Sequence, residues 1–221
     1  LQQNSYVALV APRIEQGGNV QVDGSAAYVA ANSLTMTMNQ GLFDIQVDVG
    51  GGTDDLEGVV HTGSTTGGTD PSLSADHRIY MVAVPKNQAL TMLLGGTAGF
   101  DANVAGYENG QIVLGSGWNI EDTPGGINGS SPPGLNGSIN IRPGTYLSDI
   151  QGYSTGDVTV VADTGDIDFL GDLSLRSLNA NGTGNIFLNA NGAGNDLTVG
   201  GDLYLLIPLA EYVPLAGVVP G

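Results

Sequence analysis

The sequence predicts an all-β chain and, within that class, a parallel β-solenoid of about 20–30 residues per coil. Three observations predict it: a glycine-started pattern laid out twice between Gly156 and Leu205, a composition of turn and small residues, and strict alternation over Gly41 to Val49. The pattern reads GDVTV from Gly156, GDIDF from Gly165 and GDLSL from Gly171, then GNIFL from Gly184, GNDLTV from Gly194 and GDLYL from Gly201. Corresponding glycines lie 28, 29 and 30 residues apart, so a unit of three short strands repeats along the chain.

In a solenoid each strand bonds to its counterpart one coil away, and alternate apolar residues point into a narrow shared core. Val158 and Val160 are then expected near Ile186 and Leu188, Ile167 and Phe169 near Leu197 and Val199, and Leu173 and Leu175 near Leu203 and Leu205. Glycine suits the corners before each strand, and the neighbouring Asp or Asn can bond the turn backbone. The alternative is ordinary turn punctuation in an antiparallel sandwich. Three matched offsets argue against it.

Composition agrees. The 221 residues include 36 Gly and 10 Pro, with charged residues at only 12%, which lacks the signature of helical domains and favours many corners. Hydrophobic residues at 41% suffice for a core, so the chain is no disordered acidic tail. Five Lys and Arg against 22 Asp and Glu give a net charge of −17, which leaves no basic stripe for nucleic acid and repels anionic membranes. The absence of Cys excludes a disulfide framework and C-x-x-C sites. No initiating Met, signal sequence or bilayer-length apolar run occurs, and the chain is read as an internal piece of something longer.

In chain order, Tyr6 to Ala11 is an apolar strand, followed by a Pro12-Arg13 corner, Ile14-Glu15, a Gly17-Gly18 turn and the strand NVQVDG. Ala26 to Met38 carries two strand-like runs separated by Asn32. After a Gln40-Gly41 turn, GLFDIQVDV places Phe43, Ile45, Val47 and Val49 on one face and Asp44, Gln46 and Asp48 on the other.

Two of these stretches resemble a known family. YVALVAPRIEQGGNVQVDGSAAYVAANSLTMTM, Tyr6 to Met38, resembles the filamentous haemagglutinin family of secreted bacterial adhesins, in which an apolar strand, an APR-hydrophobic-E corner, a glycine-led strand and an AA strand succeed one another. HRIYMVAVPKNQALTMLL, His77 to Leu94, is similar to segments that follow such coils in large members. The resemblance covers roughly the first half and encodes coil geometry, not chemistry. It implies a right-handed parallel β-helix, export through an outer-membrane two-partner transporter, and a secreted or cell-surface location. It also implies adhesion to glycans of a host, a neighbouring cell or the matrix. The family's N-terminal secretion domain start is missing here, so the export route follows from resemblance alone.

Residues 50–76, rich in Gly, Thr and Asp, are expected to form an extruded loop with one short strand at Val59-Val60. Arg78 to Val84 alternates as a strand, Ala89 to Leu94 is apolar, and GQIVLGSGWNI from Gly110 supplies another; a helix over Asn87 to Leu94 would span only a couple of turns. Residues 121–137, with three Pro and five Gly, read as a second extruded loop, after which SINIRPGTYL resumes strand character. Roughly 6 to 9 coils stacked about 4.8 Å apart would make a single rod over 1–221.

No constellation assigns a catalytic residue, cofactor or metal. His61 and His77 lie 16 residues apart without a ligand motif and read as exposed loop or edge residues. Asp44 with Asp48, and Asp166 with Asp168, could pair carboxylates as a polysaccharide-cleaving enzyme requires, but solvated outer-face residues have the same spacing. Arg13, Arg78, Lys86, Arg142 and Arg176 are the only basic residues, none clustered with carboxylates in sequence.

NGAGNDLTV from Asn191 approaches the calcium-binding nonapeptide of RTX proteins with Asp196 at the ligand position, although Leu197 and Val199 are out of phase with that motif. Asn128, Asn136 and Asn181 match the glycosylation triplet, which a bacterial origin would leave silent. Trp118 and the eight Tyr could stack on sugars or pack strands.

The function this predicts is an extracellular, non-enzymatic adhesive rod whose loops make contacts and whose ends could stack into fibres of the same chain. A polysaccharide-processing enzyme and an RTX-like calcium-dependent module are the alternatives.

Overall fold

The structure is a computed structural model and describes residues 5–39, 41–67, 77–86, 90–100, 111–123, 126–130, 138–141, 145–149, 157–162, 167–170, 173–175, 177–182, 186–189, 197–199 and 203–206. All described regular structure is β. A first sheet orders seven strands as β1 (Val7–Ala11), β4 (Ala26–Ala30), β9 (Arg78–Ala83), β12 (Gln111–Ser116), β17 (Asp157–Ala162), β20 (Ser177–Gly182) and β23 (Leu203–Leu206), every neighbour parallel. A second orders β2 (Ile14–Gln16), β7 (Val59–His61), β10 (Leu90–Leu94), β15 (Ser138–Ile141), β18 (Ile167–Leu170) and β21 (Ile186–Asn189), again parallel. A third runs β3 (Asn19–Val22), β8 (Ser64–Gly67), β11 (Thr97–Phe100), β16 (Thr145–Asp149), β19 (Leu173–Leu175) and β22 (Leu197–Val199).

A fourth sheet is antiparallel and joins two hairpins distant in sequence. It orders β14 (Gly126–Ser130), β13 (Asn119–Thr123), β6 (Leu42–Val47) and β5 (Leu34–Asn39), with Ile120 opposite Ile45 where the hairpins meet.

This corrects the expected right-handed parallel β-helix. The chain is all-β, but its sheets are mixed parallel and antiparallel and do not make up a solenoid of like coils. The physical reason lies in two pairs of strands adjacent in the chain that bond to each other. Asn39 stands opposite Leu42 and Thr123 opposite Gly126, so β5 pairs antiparallel with β6 and β13 with β14, and each pair forms between neighbours in the chain instead of with a counterpart one coil away.

Within the stretches expected as loops, the described residues carry strands, the first of them at the Val59-Val60 position where one short strand was expected. Within 50–76, Val59–His61 and Ser64–Gly67 are ladder strands, and within 121–137 the chain forms most of the β13–β14 hairpin; residues 68–76 and 131–137 lie outside the described ones.

The pairing expected near the C-terminal end also shifts by one strand. Val158 pairs with Leu178, Ile167 with Ile186 and Leu173 with Leu197. The strand passed over is β20, SLNANG, which has no leading glycine and only two apolar residues.

The centre of the seven-stranded sheet is apolar at successive positions, as AAYVA and IYMVA, because both of its faces are covered. Tyr28, Met81 and Leu114 are in register, fully buried, and face the other parallel sheets, where the Tyr28 hydroxyl meets Thr65 of β8. Ala27, Val29, Tyr80, Val82 and Val113 face the opposite way and pack against Phe43, Ile45, Val47 and Ile120 of the antiparallel sheet. Phe43 and Tyr80 meet edge to face at 5.7 Å. Each such large apolar side chain contributes about 1.5–3 kcal/mol on burial, so the antiparallel sheet is an integral layer.

Candidate functional site

Alternation along β9 places Arg78 and Tyr80 on the face that meets the antiparallel sheet. Across from them, the register of Ile120 with Ile45 carries Asp122 opposite Phe43. The Tyr80 hydroxyl donates to Asp122 Oδ2 at 2.8 Å and accepts from the Phe43 N–H at 3.0 Å. Arg78 Nε lies 3.3 Å from the same carboxylate oxygen, with side chains only 6% and 0% exposed.

Around this pair the Asp122 N–H donates to Asp44 Oδ1 at 3.0 Å and the Val47 N–H to Asn119 Oδ1 at 2.8 Å. The Arg78 N–H donates to Ser25 Oγ, whose hydroxyl donates to the Gly41 carbonyl at 2.6 Å, tying the hairpin turn to the parallel sheet. Burial, reinforced by the Asp122 charge, raises the Tyr80 pKa far above its ordinary value, so the hydroxyl stays a donor.

A second polar chain runs between the parallel sheets. His61 Nδ1 lies 3.0 Å from the Gly95 carbonyl, which can only accept, so Nδ1 carries the proton. The neutral ring's Nε2 then accepts from Thr65 Oγ1 at 2.9 Å, and Thr65 accepts from the Tyr28 hydroxyl at 2.8 Å.

Burial lowers the His61 pKa, the Gly95 hydrogen bond opposing it only in part. A depressed folded-state pKa stabilises above the unfolded value of 6.5 and loses that stabilisation as pH falls below it. The stability advantage of the wild type over His61→Gln is therefore expected to shrink between about pH 8 and about pH 5, which urea midpoints at both pH values will read. An advantage independent of pH would contradict the neutral, buried ring.

Both networks are enclosed and bind sheet to sheet, so neither presents a reactive group to a substrate. The accessible features are of another kind. At one end of the molecule the outermost strands of the three parallel sheets are β1, β2 and β3. Leu9 points the same way as buried Tyr28, its register partner, yet remains 44% exposed, beside Val10 at 48%. On the antiparallel sheet the exposed residues of β5 and β6 include Thr35, Thr37 and Gln46, with Thr35 opposite Gln46 and Thr37 opposite half-buried Asp44. Arg13, Asp55, Leu56 and Glu57 line a shallow depression of about 490 Å³, where a hydrogen bond to Glu15 raises the Arg13 pKa and Glu57 lies 3.4 Å away.

Sequence candidates disperse over this frame. Asp44 accepts from the Asp122 N–H, Asp48 accepts from Ser33 Oγ, and Lys86 pairs with Asp54 at 2.9 Å. The expectation of exposed histidines is corrected: His61 and His77 are each 1% exposed. Asp168 lies in β18, Asn128 in β14 and Asn181 in β20; Asp166, Asp196, Asn136, Arg142 and Arg176 lie outside the described residues. Trp118 is half-buried. Among the described residues no group of three or more His, Cys, Asp or Glu could hold a metal.

Tyr80 and Asp122 escaped sequence reasoning because their partners come from strands 42 residues apart and Asp122 sits in a Gly- and Pro-rich stretch. No family model, curated protein or solved structure matches the chain.

Proposed function

We propose that this chain is a non-enzymatic, extracellular adhesive module, akin to the filamentous haemagglutinin group that its first half resembles. The observation that carries the reading is the outer face of β5 and β6. Thr35, Thr37 and Gln46 present hydroxyl and amide groups there on a rigid backing, the apolar partners Phe43, Ile45 and Val47 being locked beneath. Such a face suits hydrogen bonding to the hydroxyls of surface or matrix glycans. The buried arrangement of Arg78, Tyr80, His61 and Asp122 supports a structural role for the groups that would otherwise be catalytic candidates.

Binding of the purified protein to a glycan array and to matrix-coated surfaces tests the reading. Saturable binding is expected, reduced about tenfold or more in Thr35→Ala combined with Gln46→Ala at unchanged melting temperature. Binding indifferent to this pair, or release of new reducing ends from polysaccharide, would overturn it.

A further inference from the structure

The two ends of the parallel sheets match in kind. Among the described residues, the outermost strands of the first, second and third sheets are β1, β2 and β3 at one end and β23, β21 and β22 at the other. Lengths correspond: five and four residues in the first sheet, three and four in the second, four and three in the third.

The direction of the backbone groups at the first end follows from the bonds already made. The Val7 N–H donates to Ser25 O at 3.1 Å and Ala11 O accepts from the Ala31 N–H at 3.0 Å, so residues 7, 9 and 11 turn their backbone groups toward β4. By the parallel alternation, Ala8 and Val10 turn theirs outward. In the same way Ile14 and Gln16 bond toward β7, leaving Glu15 outward, and Gly18 bonds toward β8, leaving Asn19 and Gln21 outward. Among the described residues no strand pairs with this edge, and Leu9 caps the interior column while still 44% exposed.

We propose that the end formed by β1, β2 and β3 is a docking surface for a second copy of this chain, whose β23, β21 and β22 add to it in parallel. The contact is heterologous, so it does not close on itself and generates a linear assembly. The antiparallel sheet packs on β4, β9 and β12, so a second copy cannot stack on that face of these three strands. A chain of net charge −17 repels its copies, so the association strengthens as salt rises. The proposal rests on the structural role argued above, and names the partner.

Sedimentation velocity over a concentration series tests it with the full chain. The wild type is expected to grow in weight-average mass with concentration, and more so at higher salt. Val10→Pro removes an outward donor without touching a β1–β4 hydrogen bond, and Leu9→Lys places a charge over the end of the interior column. Each is expected to weaken association about tenfold or more while circular dichroism and melting temperature hold.

A wild type that stays monomeric throughout, association untouched by both substitutions, or a monomer that pairs only with an added strand peptide would each overturn it. Glycan binding measured on the same variants separates the two readings: its loss in an associating wild type sinks adhesion and leaves the docking surface standing.

Discussion

Replacing Asp122 by leucine is expected to cost about 3–5 kcal/mol of stability, because it leaves the Arg78 guanidinium buried without its carboxylate. Arg78 and Asp122 are 6% and 0% exposed, so water cannot take over the lost partner at the surface. Tyr80 loses the acceptor of its hydroxyl at the same time, while still accepting from the Phe43 N–H. Against a usual total of about 5–15 kcal/mol, such a loss unfolds a large share of the molecules.

The double substitution distinguishes the loss of a buried charge partner from a mere packing defect. Arg78→Met combined with Asp122→Leu is expected to recover a large part of the loss, since the cost comes from a buried guanidinium kept after its Asp122 carboxylate is removed and not from losing the pair itself. Urea titrations followed by Trp118 fluorescence will read both variants. A single substitution costing less than about 1 kcal/mol would show that the pair does not hold the antiparallel sheet in place.

Gly96→Ala is expected to be as damaging by a different route. Gly96 has φ +68°, and a Cβ there would sit well inside contact distance of the Gly63 carbonyl oxygen and 2.6 Å from that of Thr62. The Gly63 carbonyl accepts the Thr97 N–H at 2.9 Å, so it cannot move aside without opening the ladder between β8 and β11. Strain and lost ladder bonds together place the cost at about 4 kcal/mol or more. Gly50 is the control. It has φ +75° with nothing within 4 Å of the added carbon, so Gly50→Ala carries the conformational cost alone, about 1–2 kcal/mol. Equal midpoints for the two variants in urea would rule out the backbone collision.

Local patterns in the sequence carried through where one chain segment sufficed. The alternation of LFDIQV places Phe43, Ile45 and Val47 inside and Gln46 outside as expected, but Val49 is 93% exposed because the chain turns at residues 49–50. What failed depended on contacts between segments. Asn119–Thr123 and Gly126–Ser130 pair antiparallel, yet this stretch reads as loop in the sequence because glycine and proline outnumber their apolar neighbours.

His61 is buried because Thr65 and Gly95 satisfy both ring nitrogens, and Gly95 is 34 residues away. The glycine repeat misled by one strand because β20 pairs without a leading glycine. The candidate site was less legible still. Arg78 was visible only as one of five basic residues, and nothing local joins it to Asp122.

The central structural claim is that two hairpins far apart in sequence close into one antiparallel sheet over the parallel one. The chain has no cysteine, so a pair introduced as Gln46→Cys and Asn119→Cys, opposite each other by the Ile45–Ile120 register, reports that closure cleanly. The account predicts near-complete disulfide formation under mild oxidation of the folded protein and its loss in urea. Absence of the disulfide in a variant whose single-cysteine forms melt like the wild type would contradict it.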